Sequence, residues 1–186
     1  MIKVSGAIGL AVLLLLVGPA YAQDTKGEIR NPSPREMEAV KEHSKGTEQM
    51  LAKKYEEAIV FFRRAIDLNP DFAEAYYNLG VAYEELGKHE DSVETLKKAI
   101  RLTPENANAH YALGYAYYQL KRYKESVDAL ERSLALKPGN AFARKKLGSA
   151  YLAMGNKEKA REQYLQLASM NSALADDLRR EIEAHK

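Results

Sequence analysis

The chain has 186 residues, 46% apolar and 29% charged, with a mean hydropathy of −0.47; this is globular composition, and it excludes long disorder and a multi-span membrane protein. Its 28 Lys and Arg against 26 Asp and Glu leave a net charge of +2, too even a balance for a binder of nucleic acid or another polyanion. With no cysteine, disulfides, thiolate metal sites, a cysteine nucleophile and a lipidated N-terminal cysteine are ruled out.

Residues 1–22 predict a secretory signal peptide. Lys3 is their only charge, Ala7 to Val17 is almost wholly apolar, Pro19 breaks the helix, and Ala20 and Ala22 stand at the small-x-small spacing that a signal peptidase reads. The apolar run is shorter than the roughly 20 residues a spanning helix needs. Cleavage after Ala22 is therefore expected, with an uncleaved inner-membrane anchor as the alternative. An exported chain that lacks cysteine and lacks an Asn-x-Ser/Thr acceptor fits a bacterial periplasm. Residues 23–33, polar and carrying Pro32, predict a flexible linker.

Helix is predicted to begin at Ser33-Pro34-Arg35-Glu36, where Ser33 caps, Pro34 suits the first turn and Glu36 closes a capping box. From there the chain repeats. Residues 73–106 set over 107–140 are identical at 14 of 34 positions without a gap, and 39–72 and 141–174 run in phase on either side. Internal repetition at this period means a solenoid. Each unit reads as two helices. In the second unit, Tyr76, Leu79, Gly80 and Tyr83 keep helical spacing on the first, and Val93, Leu96, Ala99 and Ile100 on the next, with a turn at Gly87-Lys88. Pro70, Pro104 and Pro138 end the second helices. Asp71, Asn106 and Asn140 are predicted to cap the helices that follow. Gly46, Gly80, Gly114 and Gly148 recur at one place in the first helices, opposite a small residue (Ala58, Ser92, Ser126, Ala160) in the second. A helix-interior glycine costs about 1 kcal/mol, so its return in register marks a close helix crossing. At the C-terminal end, 173–186 carries Leu174, Leu178 and Ile182 as one stripe, an amphipathic helix able to close the open end of the stack.

No catalytic constellation is visible. His43, His89, His110 and His185 lack metal-ligand spacing, and the glycines stand inside helices rather than in phosphate-binding loops. The carboxylates alternate with Lys and Arg as solvated faces do. No enzyme activity, cofactor or metal is expected.

The units resemble tetratricopeptide repeats. Tyr76, Leu79, Gly80, Tyr83, Ser92, Leu96, Ala99 and Pro104 stand where that family's pattern places its packing residues, and His110, Leu113, Gly114, Tyr117, Ser126, Leu130, Ser133 and Pro138 do so one unit later. The resemblance covers 39–174 and departs from the pattern at both ends, with Lys45 and Gln49 in the first unit and Arg144 and Ser172 in the last. It implies an all-α, right-handed α-solenoid of about four helix–turn–helix units (39–72, 73–106, 107–140, 141–174) within a domain spanning 34–186.

The resemblance also implies a groove lined by the first helices, where a peptide segment or helix of another protein binds. The groove-facing places are Tyr77, Asn78, Val81, Glu84 and Glu85, then Asn108, Tyr111, Tyr115, Tyr118 and Gln119, then Lys145, Lys146, Ser149 and Leu152. Four tyrosines on one face offer contact area at little entropic cost. The net charges of the units are 0, −3, +2 and +4, so the step Arg144-Lys145-Lys146 is a candidate for orienting an acidic partner. A chaperone-tail clamp of the kind some relatives carry is not expected, since its places hold His43, Thr47, Asn78, Asn108 and Ala112. The expected role is that of a non-enzymatic adaptor in the cell envelope, with a self-associating structural subunit as the alternative.

Overall fold

The computed structural model describes residues 22–23, 29–170 and 172–185. Apart from Ala22, the predicted leader lies outside the described residues. Across the predicted leader–linker boundary, β1 (Ala22–Gln23) pairs antiparallel with β2 (Ile29–Arg30), Ala22 opposite Arg30. Everything described beyond residue 33 is helix and turn.

The helices follow one another in pairs: α1 (Pro34–Leu51) with α2 (Tyr55–Leu68), α3 (Ala73–Glu85) with α4 (His89–Leu102), α5 (Ala107–Gln119) with α6 (Tyr123–Leu136), and α7 (Ala141–Ala153) with α8 (Lys157–Ser169). A last helix, α9 (Leu174–Ala184), closes the stack. Each pair packs chiefly on the next pair, which makes the molecule an all-α solenoid. Among the described residues no helix is long and apolar enough to cross a membrane.

The boundaries have local causes. Ser33 Oγ accepts from the Glu36 N–H, and Glu36 Oε2 accepts from the Ser33 N–H at 2.7 Å, a closed capping box ahead of Pro34. The even-numbered helices α2, α4 and α6 stop two residues before proline. The residues that precede those prolines, Asn69, Thr103 and Lys137, are driven to ψ 95°, 83° and 83°, outside the helical range. Asn106 and Asn140 cap as expected, their side-chain oxygens accepting from Ala109 and Ala143 N–H. Asp71 does not. The cap position of α3 is Phe72, which has no side-chain cap bond, while Asp71 gives its N–H to Asn69 Oδ1 in the preceding turn. One period back from Asn106 lies Phe72, and its ring serves packing instead, 4.9 Å from His43.

The turn inside every unit reaches the left-handed region at one place. Gly87 and Gly155 occupy it at φ +69° and +77°, but Lys53 and Lys121 do so at +58° and +59°. A side chain there costs about 1–2 kcal/mol relative to the right-handed region, and glycine removes that cost. Lys121→Gly is accordingly expected to raise stability by about 1 kcal/mol, read as a higher urea midpoint; an unchanged midpoint would mean that the turn is unstrained.

The recurring glycines meet large side chains. A Cβ on Gly46, Gly80 or Gly114 would fall within 2.6–2.7 Å of Phe62, Leu96 or Leu130 in the partner helix of the same unit. In the fourth unit the intruding group is Leu178 of α9, 2.5 Å from a Cβ on Gly148. The closing helix thus supplies the plug that earlier units take from their own second helix. With Ala175 and Ile182, Leu178 joins the C-terminal core of Leu130, Leu147, Leu152 and Leu167. The stripe predicted on this helix is the buried face, although its first member, Leu174, is only partly covered.

Candidate functional site

The first helices α3, α5 and α7 lie side by side, and the face between α3 and α5 carries several of the predicted groove residues. One helical turn after another brings Tyr77 and Val81 of α3 opposite Tyr111 and Tyr115 of α5. Between them is a cleft of about 320 Å³, also lined by Glu84, Glu85 and Gln119. A second hollow of about 490 Å³ shares Tyr77 and Tyr111 and continues to Asn108, Asn140 and Phe142. Phe142 is 64% exposed. It stands one period after Asn108, so the register that selected Asn108 also pointed to this ring, which the sequence reading left out.

The tyrosines form a connected surface. The rings of Tyr111 and Tyr115 lie 6.5 Å apart, and Tyr118 meets Tyr123 edge-on at 5.5 Å. Burial pushes the Tyr77 and Tyr111 hydroxyls above the ordinary phenol value, so both stay neutral and present hydroxyls for hydrogen bonding. Lys146 of α7 holds its Nζ 4.5 Å from both the Tyr115 and the Tyr118 ring centroids. Burial, and then the neighbouring Lys145, pulls this ammonium below the usual lysine value. Nothing in the spacing of the chain announced that clasp.

Other predicted members are placed differently. Asn78 Nδ2 is 2.7 Å from His43 Nε2, which ties α3 to α1. His43 is flanked by Phe62 and Phe72, and burial lowers its pKa despite the opposing Glu74. Lys145 and Ser149 are not open groove residues. Lys145 Nζ pairs with Glu181 Oε1 at 2.6 Å, Ser149 is only 5% exposed and donates to Glu181 Oε2 at 2.6 Å, and Leu152 is in the core. The cause is α9, whose docking covers this part of α7. Arg144 is also engaged, with Pro138 O at 3.0 Å and Gln163 Oε1 at 3.3 Å. The basic step is therefore largely consumed inside the molecule. Among the described residues no three side chains converge as metal ligands.

The comparisons with known proteins agree with this geometry. The TPR repeat model matches residues 50–87 and 82–121, and tetratricopeptide repeat models match 107–140 and 146–174. The human small glutamine-rich tetratricopeptide repeat-containing protein alpha is 38% identical over 72 residues, which are 38% of this chain and 23% of that protein. The chain thus spans under a quarter of that relative. The crystal structure of MamA is similar at a TM-score of 0.69 and 26% identity, over 72% of this chain and 78% of that one. The first repeat domain of Spaghetti (RPAP3), bound to the HSP90 peptide SRMEEVD, is similar at a TM-score of 0.64 and 26% identity, over 64% of this chain and 95% of that one.

Proposed function

The chain belongs to the tetratricopeptide-repeat family, which builds protein-interaction scaffolds, and on that premise we propose that it captures an extended segment or helix of a partner protein on the α3–α5 face. The observation that carries the reading is the meeting of Tyr77, Tyr111 and Tyr115 from two units around one open cleft. Such rings lose little entropy on binding and are frequent anchors of interfaces. A similar domain solved with a bound peptide supports a peptide as the partner. The role is that of a non-enzymatic adaptor, and its place in the cell envelope, in the periplasm, rests on the leader read from residues 1–22.

The test is affinity capture from an envelope extract with the parent and the Tyr111→Ala, Tyr115→Ala form, both checked for helicity. Anchors of this kind cost about 2 kcal/mol or more each, so a partner held here loses at least about tenfold in affinity. A partner retained equally by both forms moves the site off this face. Mass that rises with concentration in the absence of a partner would favour the self-associating alternative.

A further inference from the structure

We propose that the α3–α5 cleft receives a lysine or arginine side chain, so that the captured segment is basic; this rests on the reading that the groove holds a partner segment. The cleft is an aromatic box with carboxylates in its lining. Tyr77, Tyr111 and Tyr115 supply phenol rings, whose faces attract cations. Glu84 and Glu85 line it as well, one helical turn beyond Val81 on α3.

The carboxylates are only partly compensated by the protein: the Lys146 ammonium acts on Glu84 through space, without an ion-pair contact. Among the described residues, neither Glu84 nor Glu85 forms an ion pair with a lysine or arginine. Glu84 Oε1 meets His89 Nδ1 at 2.9 Å, while its Oε2 is buried without a hydrogen-bond partner. Glu85 is exposed, with the Tyr55 hydroxyl beside it. The unit that carries both has a net charge of −3. A largely buried carboxylate such as Glu84, without a lysine or arginine ion pair, favours an incoming cation.

The groove's own cations are held in place, although Lys146 keeps its charge. Arg144 and Lys145 are tied down by Pro138, Gln163 and Glu181, and Lys146 is clasped by Tyr115 and Tyr118. That clasp shows what these rings do with an ammonium group, since this chain's own lysine already sits against one wall of the box. An acidic segment, by contrast, would bring its carboxylates against Glu84 and Glu85, with Lys146, held against the tyrosine rings, as its one counter-charge in the groove.

Three fluorescein-labelled peptides test the assignment by anisotropy against the purified protein. They share two leucines and a neutral backbone and carry lysine, glutamine or glutamate at two further positions. The lysine peptide is expected to bind best and the glutamate peptide worst, at least about tenfold apart. In Glu84→Gln, Glu85→Gln protein the three affinities converge, and Glu85→Gln alone, at an exposed position, narrows the gap. Equal affinities, or a preference for glutamate, overturn the cation assignment. If such binding still vanishes in Tyr111→Ala, Tyr115→Ala protein, the groove itself stands. Failure of all three peptides to bind, or lysine-peptide binding untouched by the tyrosine changes, overturns both.

Discussion

Gly114→Ala protein is expected to unfold at lower urea than the parent, although alanine is the better helix former by about 1 kcal/mol. The added Cβ would lie 2.6 Å from Leu130 Cγ and 3.2 Å from the Ser126 carbonyl oxygen. Leu130 is fully buried, so it must give way within a packed core. The backbone cannot back away cheaply either, because Ser126 Oγ donates to the Gly114 carbonyl at 2.7 Å and holds α5 against α6. Overpacking of this kind costs about 1–3 kcal/mol, so the clash outweighs the propensity gain. Gly139→Ala is the matched control: no atom lies within 4 Å of its Cβ position, its φ is not in the left-handed region, and stability should rise by up to about 1 kcal/mol. A Gly114→Ala form as stable as the parent would mean that the helices do not cross as closely as the distances say.

Leu178→Ala is expected to cost about 2–5 kcal/mol, the range for emptying a filled core site, and to do so locally. Leu178 is fully buried and presses on Gly148. Its loss loosens α9 and with it the Glu181 contacts to Lys145 and Ser149. Because a solenoid's units lean only on their neighbours, hydrogen exchange should speed up through α7, α8 and α9 while α1 to α4 keep their protection. An even loss along the whole stack would show that the units fold as one body and that α9 is no mere end plug.

Most of the fold was legible because its causes are local or periodic. Proline before the turn, asparagine at the cap and glycine at the crossing each act within a few residues, and the period repeats them. The misassigned cap shows where this reading slips. Asp71 has the right chemistry, but the register belongs to Phe72, and position decides. On the groove, the family resemblance, not the period, pointed to Tyr77, Tyr111 and Tyr115, and the structure brings these three to one cleft. The resemblance could not distinguish Lys145 from Lys146. Adjacent residues on α7 point roughly 100° apart, and one meets Glu181 while the other enters the tyrosine clasp. The pairing with Glu181 joins residues 36 apart in the chain, a contact made by how α9 docks. The stripe on that helix indicated that it would close the stack, not which surface it would take from α7.

The two walls of the tyrosine cleft belong to different hairpins, Tyr77 to α3 and Tyr111 to α5. No single loop sets the gap between them. It is set behind the cleft, where Val93 and Leu96 of α4 pack with Leu113, Ala116 and Tyr117. Close-packed interiors transmit changes in volume as displacement. The seam is thus a fulcrum: a methyl group gained or lost there re-gauges the cleft, and under the proposed role partner choice becomes adjustable through residues behind the binding face.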